Sequence, residues 1–199
     1  MHLVRRIETL SAARCLVMME DEASFPMYRR ELGRYGIAEG EAIPEEAYQE
    51  LMEEVLPKRV KLRAMHLLQK MDRTELQLRR KLKDSAYPPE LIDDAVAYVK
   101  SFHYIDDARY AFHYIDYRKD THSRLQLKME LQEKGVSKET IQYALEQVDF
   151  PDERQQIRYW MEKKHFHPEG AERKEIQKFC QFLMRKGFSS SSIHSEIEW

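Results

Sequence analysis

The chain repeats itself. The segment Thr74-Glu-Leu-Gln-Leu-Arg-Arg-Lys-Leu82 returns 49 residues later as Ser123-Arg-Leu-Gln-Leu-Lys-Met-Glu-Leu131. Leu76, Leu78 and Leu82 fall on Leu125, Leu127 and Leu131, Tyr87 on Val136, and Ile92 on Ile141. A third copy lies 52 residues further on, where Ile176, Phe179 and the run Leu183 to Phe188 keep the spacing. There Lys186-Gly187 falls on Lys134-Gly135 and Ile193 on Ile141. A period of this size marks an array of small units, none of which buries its apolar face alone. The apolar spacing within each copy is helical, so the repeated leucines read as core.

The caps recur with the leucines. Thr74-x-x-Gln77 and Ser123-x-x-Gln126 have the form of capping boxes, in which the hydroxyl accepts from an orphan N–H and the glutamine reaches back. Gly135 and Gly187 stand where a helix should end in the left-handed region, and Ala86 departs from this in the first copy. Ser137 and Ser189 are placed to cap the next helix, and Pro89 gives the first-turn signal in their stead. Glu175 occupies the third capping position, so that cap is lost. A further helix precedes each copy, at about residues 60–71, 107–118 and 152–164, making each unit three helices. With 6 glycines in 199 residues and 34% charged residues, the composition favours long amphipathic helices over a sandwich or barrel.

The first 60 residues read differently. Arg14 to Glu20 alternates, with Cys15, Val17 and Met19 on one face, and the segment 3–9 carries Leu3, Val4 and Ile7. This predicts a small β-hairpin with an extended piece near Phe25-Pro26-Met27. Two short helices should follow, one from Tyr28 to Tyr35 stopped by Gly36, the other from Pro44 to Leu56 before Pro57. Residues 1–60 hold eight Lys/Arg and twelve Asp/Glu, a net −4, whereas the remainder is +2. The expected division is therefore 1–60, an N-terminal extension; 61–106, the first three-helix repeat; 107–150, the second; and 151–199, the third. The fold class is mainly α, with a small N-terminal α+β part.

Several functions lack support. A net charge of −2 excludes a globally basic nucleic-acid binder but not a local basic stripe. No G-x-x-x-x-G-K or G-x-G-x-x-G occurs. No apolar run approaches ~18 residues, so no membrane helix is expected. Cys15 and Cys180 have no metal or redox spacing, and with no signal peptide they suggest a reducing cytoplasm, each acting as a small apolar residue. Of the histidines, His103, His113 and the pair His165-x-His167 show no ligand spacing on one helix face, so no metal or cofactor is expected. No serine or cysteine sits in a nucleophile-elbow context, and no enzymatic motif is present.

Basic residues are the remaining candidates. Arg73, Arg79, Arg80, Lys81 and Lys83 crowd the second helix of the first repeat. Arg118, Lys119, Arg124 and Lys128 occupy matching ground in the second, and Lys163, Lys164, Arg173, Lys174 and Lys178 lie in the third. A phosphate backbone needs positive charge at matched spacing, which repeated helices can supply; a solvated helix face with i,i+4 pairs uses the same residues. Phe102, Tyr104, Tyr110, Phe112, Tyr114 and Tyr117 could stack on bases, but core at a repeat junction is the favoured reading. Asp106 is placed to cap the helix that follows it.

Taken in order, Arg73-Thr-Glu-Leu-Gln-Leu-Arg-Arg-Lys-Leu82, Tyr87, Ile92, Tyr104-Ile-Asp-Asp-Ala-Arg-Tyr-Ala111, Tyr114-Ile115, Arg118, Ser123-Arg-Leu125, Leu131 and Lys134-Gly135 resemble the RecX family. That family regulates the bacterial recombinase RecA. The resemblance is good over 64–150 and looser over 151–199. Residues 1–60 are similar to the β-hairpin extension of many Gram-positive members, with Leu32-Gly-x-Tyr-Gly-Ile-x-x-Gly40 as the joining segment. It implies tandem three-helix repeats in an elongated, curved array, with no enzymatic activity. It also implies docking on the RecA–single-stranded DNA filament, with inhibition of ATP hydrolysis and strand exchange, and hence roles in homologous recombination, DNA repair and the SOS response. The chain would act as a cytoplasmic monomer. The contact residues expected are Arg73, Arg79, Arg80, Lys81, Arg109, Arg118, Lys119, Arg124 and Lys128; Arg109 could instead support Asp106 and Asp107. Glu130 stands where the first repeat has Lys81. The rival reading is a three-helix module acting on DNA without RecA.

Overall fold

A computed structural model of the protein describes residues 2–197. The N-terminal alternation makes β1 (His2–Thr9) and β2 (Arg14–Met19), paired antiparallel with Ile7 opposite Val17 and Thr9 opposite Cys15. The hairpin belongs to a larger sheet than the sequence predicts. The piece around Pro26 is a paired strand, β3 (Ser24–Tyr28), and β4 (Ala42–Ile43) adds to β1, giving the order β3-β2-β1-β4. Pro26 is tolerated because β3 is an edge. Cys15, Val17, Met19, Phe25 and Met27 are buried, as the period-2 pattern requires.

The expected helix over Tyr28–Tyr35 is two 3-10 turns, Arg29–Glu31 and Gly33–Tyr35, stopped by Gly36 at φ 61°. The helix expected to end before Pro57 does not end there. α1 (Glu45–Gln49) runs through a π-helical stretch (Glu50–Val55) into α2 (Leu56–Lys70) without a break. A proline inside a helix lacks the N–H and crowds the carbonyl four residues back. The π stretch, in which the Leu56 N–H bonds to Leu51 O, widens the turn just before the proline and relieves that crowding. The boundary near residue 60 thus falls within a continuous helix. The sheet, α2, α3 (Glu75–Lys83) and α4 (Pro89–Ser101) share one core that includes Val17, Phe25, Leu56, Val60, Leu78, Leu82 and Val96. The described residues up to Asp106 form one compact unit.

From Asp107 onward a second compact unit holds α5 (Asp107–Arg118), α6 (Arg124–Glu133), α7 (Lys138–Gln147), α8 (Glu153–Lys163), α9 (Arg173–Arg185) and α10 (Ser190–Glu196). Leu127, Leu131 and Ile141 centre one core; Ile157, Leu183 and Ile193 centre another. The first leucine of each copy departs from the core reading: Leu76 is half-buried and Leu125 is 53% exposed.

Polar side chains tie the two cores together. The buried Gln156 amide donates to the carbonyls of Lys119 and His122, and Trp160 Nε1 donates to Thr121 O at 2.8 Å. Ser123 accepts from Gln126 N at 3.1 Å while its own O–H donates to Lys186 O at 2.6 Å. Of the two expected capping boxes, the one at Thr74–Gln77 closes. At Ser123 the Gln126 amide turns instead to Glu130, 2.9 Å away, so the reciprocal half is missing. α9 starts a turn earlier than its repeat position predicts, on Glu172, whose N–H donates to Glu175. Ala86, Gly135 and Gly187 all adopt positive φ, at 66°, 87° and 80°.

Candidate functional site

The nine candidate cations divide between the two units. In the first, Arg79 lies between Glu75 at 2.8 Å and Asp93 at 2.5 Å, and Lys100 reaches the same Glu75 at 2.7 Å. Burial alone would raise the Glu75 pKa, but the hydrogen bonds from Lys100 and Arg79 outweigh it and the net shift is downward. Arg79 therefore joins α3 to α4 by an ion-pair network. Arg73 donates to Leu67 O at 3.4 Å, at the end of α2, and Lys81 meets Asp84 at 3.4 Å. Arg80 and Lys83 are exposed, and among the described residues no carboxylate lies within ion-pair distance of either.

In the second unit the helix positions repeat but the chemistry does not. Glu130, at the position of Lys81, is half-buried. It accepts from the Tyr114 hydroxyl at 2.7 Å and from the Gln126 amide, with His122 Nε2 at 3.9 Å. Its pKa is lowered because the hydrogen bonds from Tyr114 and Gln126 outweigh burial. Burial, and then the bond to Glu130, push the Tyr114 phenol far above its usual range. The Arg118 guanidinium lies 3.9 Å from the Tyr114 ring centroid. Arg124 lies 4.0 Å from the Phe150 ring and donates to Leu145 O at 3.2 Å, so it closes the end of α7. Lys119 pairs with Asp116 at 2.8 Å. Arg109 is exposed on α5, and Lys128 on α6 is half-buried without an ion pair among the described residues.

The aromatic segment is core only in part: Tyr110 and Tyr114 pack against the core around Leu127 and Ile141, whereas the other four rings do not, contrary to the sequence reading. Phe102, Tyr104, Phe112 and Tyr117 are exposed, Tyr117 by 87%. The reason lies in α5, whose buried line is Ala111 and Ile115; residues 112 and 117 fall on other faces. Tyr110 and Tyr114 are half-buried and stacked, centroids 6.0 Å apart.

The sequence reading left out a cation–aromatic pattern. Lys134 lies 5.2 Å from the Tyr114 centroid, and Lys186 lies 4.2 Å from that of Trp160. Tyr114 and Trp160 are each the eighth residue of their helices, and each lysine precedes the left-handed glycine of its repeat. Lys163 and Lys164 join Lys186 around the Trp160–Phe182 pair. Burial first, then the neighbouring Lys163 and Lys164, lower the Lys186 pKa. The recurring Lys-Gly dipeptide was the available signal for it. Among the described residues no group of three His, Cys, Asp or Glu side chains could hold a metal ion, and no helix is long and apolar enough to cross a membrane.

Comparison with known proteins decides the family. The profiles of the first, second and third three-helix domains of RecX match residues 61–98, 106–145 and 152–195. The chain belongs to the RecX family. The "Regulatory protein RecX" of Caldanaerobacter subterraneus subsp. tengcongensis is 30% identical over 200 residues, covering 99% of this chain and 98% of that protein. That of Clostridium perfringens strain 13 is 27% identical, covering 96% and 92%. A crystal structure of regulatory protein RecX aligns over 100% of this chain and 99% of its own, with a TM-score of 0.61 at 22% identity. The crystal structure of RecX from Lactobacillus salivarius covers 71% of this chain and 94% of its own, with a TM-score of 0.58 at 21% identity. These two share the fold.

Proposed function

We propose that this protein regulates the RecA recombinase by docking on the RecA–single-stranded DNA filament, and that it inhibits ATP hydrolysis and strand exchange there without catalysing a reaction. The observation that carries the reading is the run of three matched three-helix domains, within a chain that aligns end to end with proteins named regulatory RecX. The reading divides the chain at 60, 106 and 150, takes it as a monomer, and places its work in the cytoplasm, on the chromosome, in recombination, repair and the SOS response.

The contact set is proposed from the nine cations, weighted by what each already does. Arg80 and Lys128 have no ion pair to break among the described residues, which suits them to meeting phosphates. Arg73, Arg79, Lys81, Lys119 and Arg124 are committed to local partners and contribute by shaping the helices that carry them. Arg118, placed over the Tyr114 ring, offers a guanidinium beside a fixed aromatic, and Arg109 adds an exposed charge on the same helix.

The test is single-stranded-DNA-dependent ATP hydrolysis by the cognate RecA with this protein titrated in, beside its binding to the same DNA without RecA. Inhibition well below the concentration that coats the DNA supports filament docking. Inhibition only at DNA saturation transfers the activity to the rival, a module acting on DNA itself. That rival also requires a steep salt dependence of DNA binding alone.

A further inference from the structure

One cavity lies apart from these faces. It opens between the sheet and α2 in the first unit, with a volume of about 430 Å³, within the range of small-molecule sites. Its lining holds three arginines and no carboxylate, beside Ser11, His66 and two tyrosines. Arg14 enters from the start of β2, Arg59, Arg63 and His66 from successive turns of α2, and Tyr87 from the loop before α4, with Tyr28 at the edge. Glu31 neutralises Arg59 at 2.6 Å. Arg14 and Arg63 have no carboxylate within ion-pair distance among the described residues, which leaves two uncompensated guanidiniums.

Two details distinguish the residues that line this cavity. Arg63 Nε is inaccessible to solvent and has no hydrogen-bond acceptor among the described residues, although its geometry is that of a strong, fixed donor. The surrounding atoms shut Nε off, so an anion in the cavity would meet the terminal nitrogens of the Arg63 guanidinium. The second detail comes from the repeats. Tyr87 corresponds to Val136 in the second copy and Phe188 in the third, both buried and both without a polar atom in the side chain. The first repeat alone carries a hydroxyl there, and Arg14, Arg59 and Arg63 lie close enough to oppose the rise in its pKa that burial imposes.

We propose that this cavity binds a phosphate group, with Arg14 and Arg63 as its charged ligands and Tyr87 and His66 as supporting donors. Guanidinium forks match phosphate oxygens, and two uncompensated positive charges balance a phosphate dianion. The donors come from strand, helix and loop, so they approach one tetrahedral group from several sides. A free nucleotide or diphosphate and a nucleic-acid strand present the same acceptor oxygens to these donors. The site rests on the N-terminal sheet and the first repeat alone and does not depend on the RecA reading.

The experiment is titration calorimetry of the full chain with three probes: inorganic pyrophosphate, adenosine monophosphate, and a short unstructured single-stranded oligonucleotide. Arg14→Gln, Arg63→Met and Tyr87→Phe are compared with Lys138→Gln, an exposed cation outside the cavity lining, as a control. Arg63→Met keeps the apolar stem, and the unliganded melting curve of each variant reports whether it folds. The proposal expects saturable binding of at least one probe. Arg14→Gln or Arg63→Met should weaken it about tenfold or more, Tyr87→Phe less, and Lys138→Gln not at all. Sensitivity with pyrophosphate or the mononucleotide assigns a free phosphate compound; sensitivity with the oligonucleotide alone assigns a strand phosphate. If no probe binds, or folded Arg14→Gln and Tyr87→Phe proteins bind every probe as the parent does, the proposal is overturned.

Discussion

Changing Gly187 to alanine tests how the second and third repeats are joined. Gly187 sits at φ 80°, where an alanine costs about 1–2 kcal/mol. Its Cβ would stand 2.7 Å from Ser123 Oγ and 3.1 Å from Leu125 Cβ. Ser123 is fully buried, and its hydroxyl is already committed twice, capping α6 and bonding Lys186 O. Moving it forfeits a cap worth about 1 kcal/mol and a hydrogen bond of similar size. The total is about 3–4 kcal/mol, a large part of a typical domain stability of roughly 5–15 kcal/mol. Urea unfolding followed by tryptophan fluorescence and circular dichroism measures it. The decisive comparison repeats the substitution in a Ser123→Ala background, where the clash partner and both bonds are gone. There Gly187→Ala should cost only the backbone strain and the remaining crowding by Leu125, a coupling of about 1–2 kcal/mol. An equal cost in both backgrounds, or a cost below about 1 kcal/mol in the parent, refutes the reasoning.

The other predictions follow the same contacts. Ala86→Gly, which gives the first repeat the residue of the other two at φ 66°, should stabilise the first unit by about 1 kcal/mol in the same unfolding assay; destabilisation would mean that the conformation is not left-handed. Arg79→Gln should lower stability by about 0.5–1 kcal/mol and leave the salt dependence of filament binding unchanged. Arg80→Gln should leave stability unchanged and lower the salt slope by about one unit; the reverse pattern would interchange their roles. Lowering the pH should destabilise the second unit. His122 has a folded pKa below its usual 6.5, chiefly from burial, so the unfolded chain takes up its proton first and stability falls as pH drops below about 6.5. Glu130, also lowered, holds its contribution above the usual carboxylate range and loses it further down. His122→Gln should flatten the upper part of a melting-temperature profile between pH 7 and 5, and an unchanged profile would sink this account.

Periodic features were legible in the sequence, and whatever depended on a partner elsewhere in the chain was not. The repeated leucines at 78, 82, 127 and 131 and the caps at Thr74, Ser137 and Ser189 are set by spacing within one helix, and they are where the repeat predicts. The merger of the extension with the first repeat places Val17, Phe25 and Met27 in one core with Leu56 and Val60, a long-range association that no local period announces. Pro57 misled because its breaking effect is local and real, whereas the π stretch that accommodates it is a response of the surrounding helix. The exposed aromatics misled through composition: six rings within a short span suggest core until the buried line of α5 is known.

Glu130 shows why the candidate site was harder to read than the fold. Beside Lys81 in the first repeat, it looks like a missing phosphate-binding cation. In place it is the acceptor for Tyr114 and Gln126 and lies beside His122, so the change of sign serves a half-buried network. Arg79 and Arg124, expected as contacts, also have local work, holding α3 to α4 and closing α7. The fold requires the apolar period of each repeat and leaves its polar positions free to diverge. The first repeat uses that freedom at Tyr87, the second at Glu130, and the third in the lysines around Trp160. Any activity that distinguishes one repeat from another must therefore be sought where the copies disagree, and there a candidate cation counts only after its local partners have been subtracted.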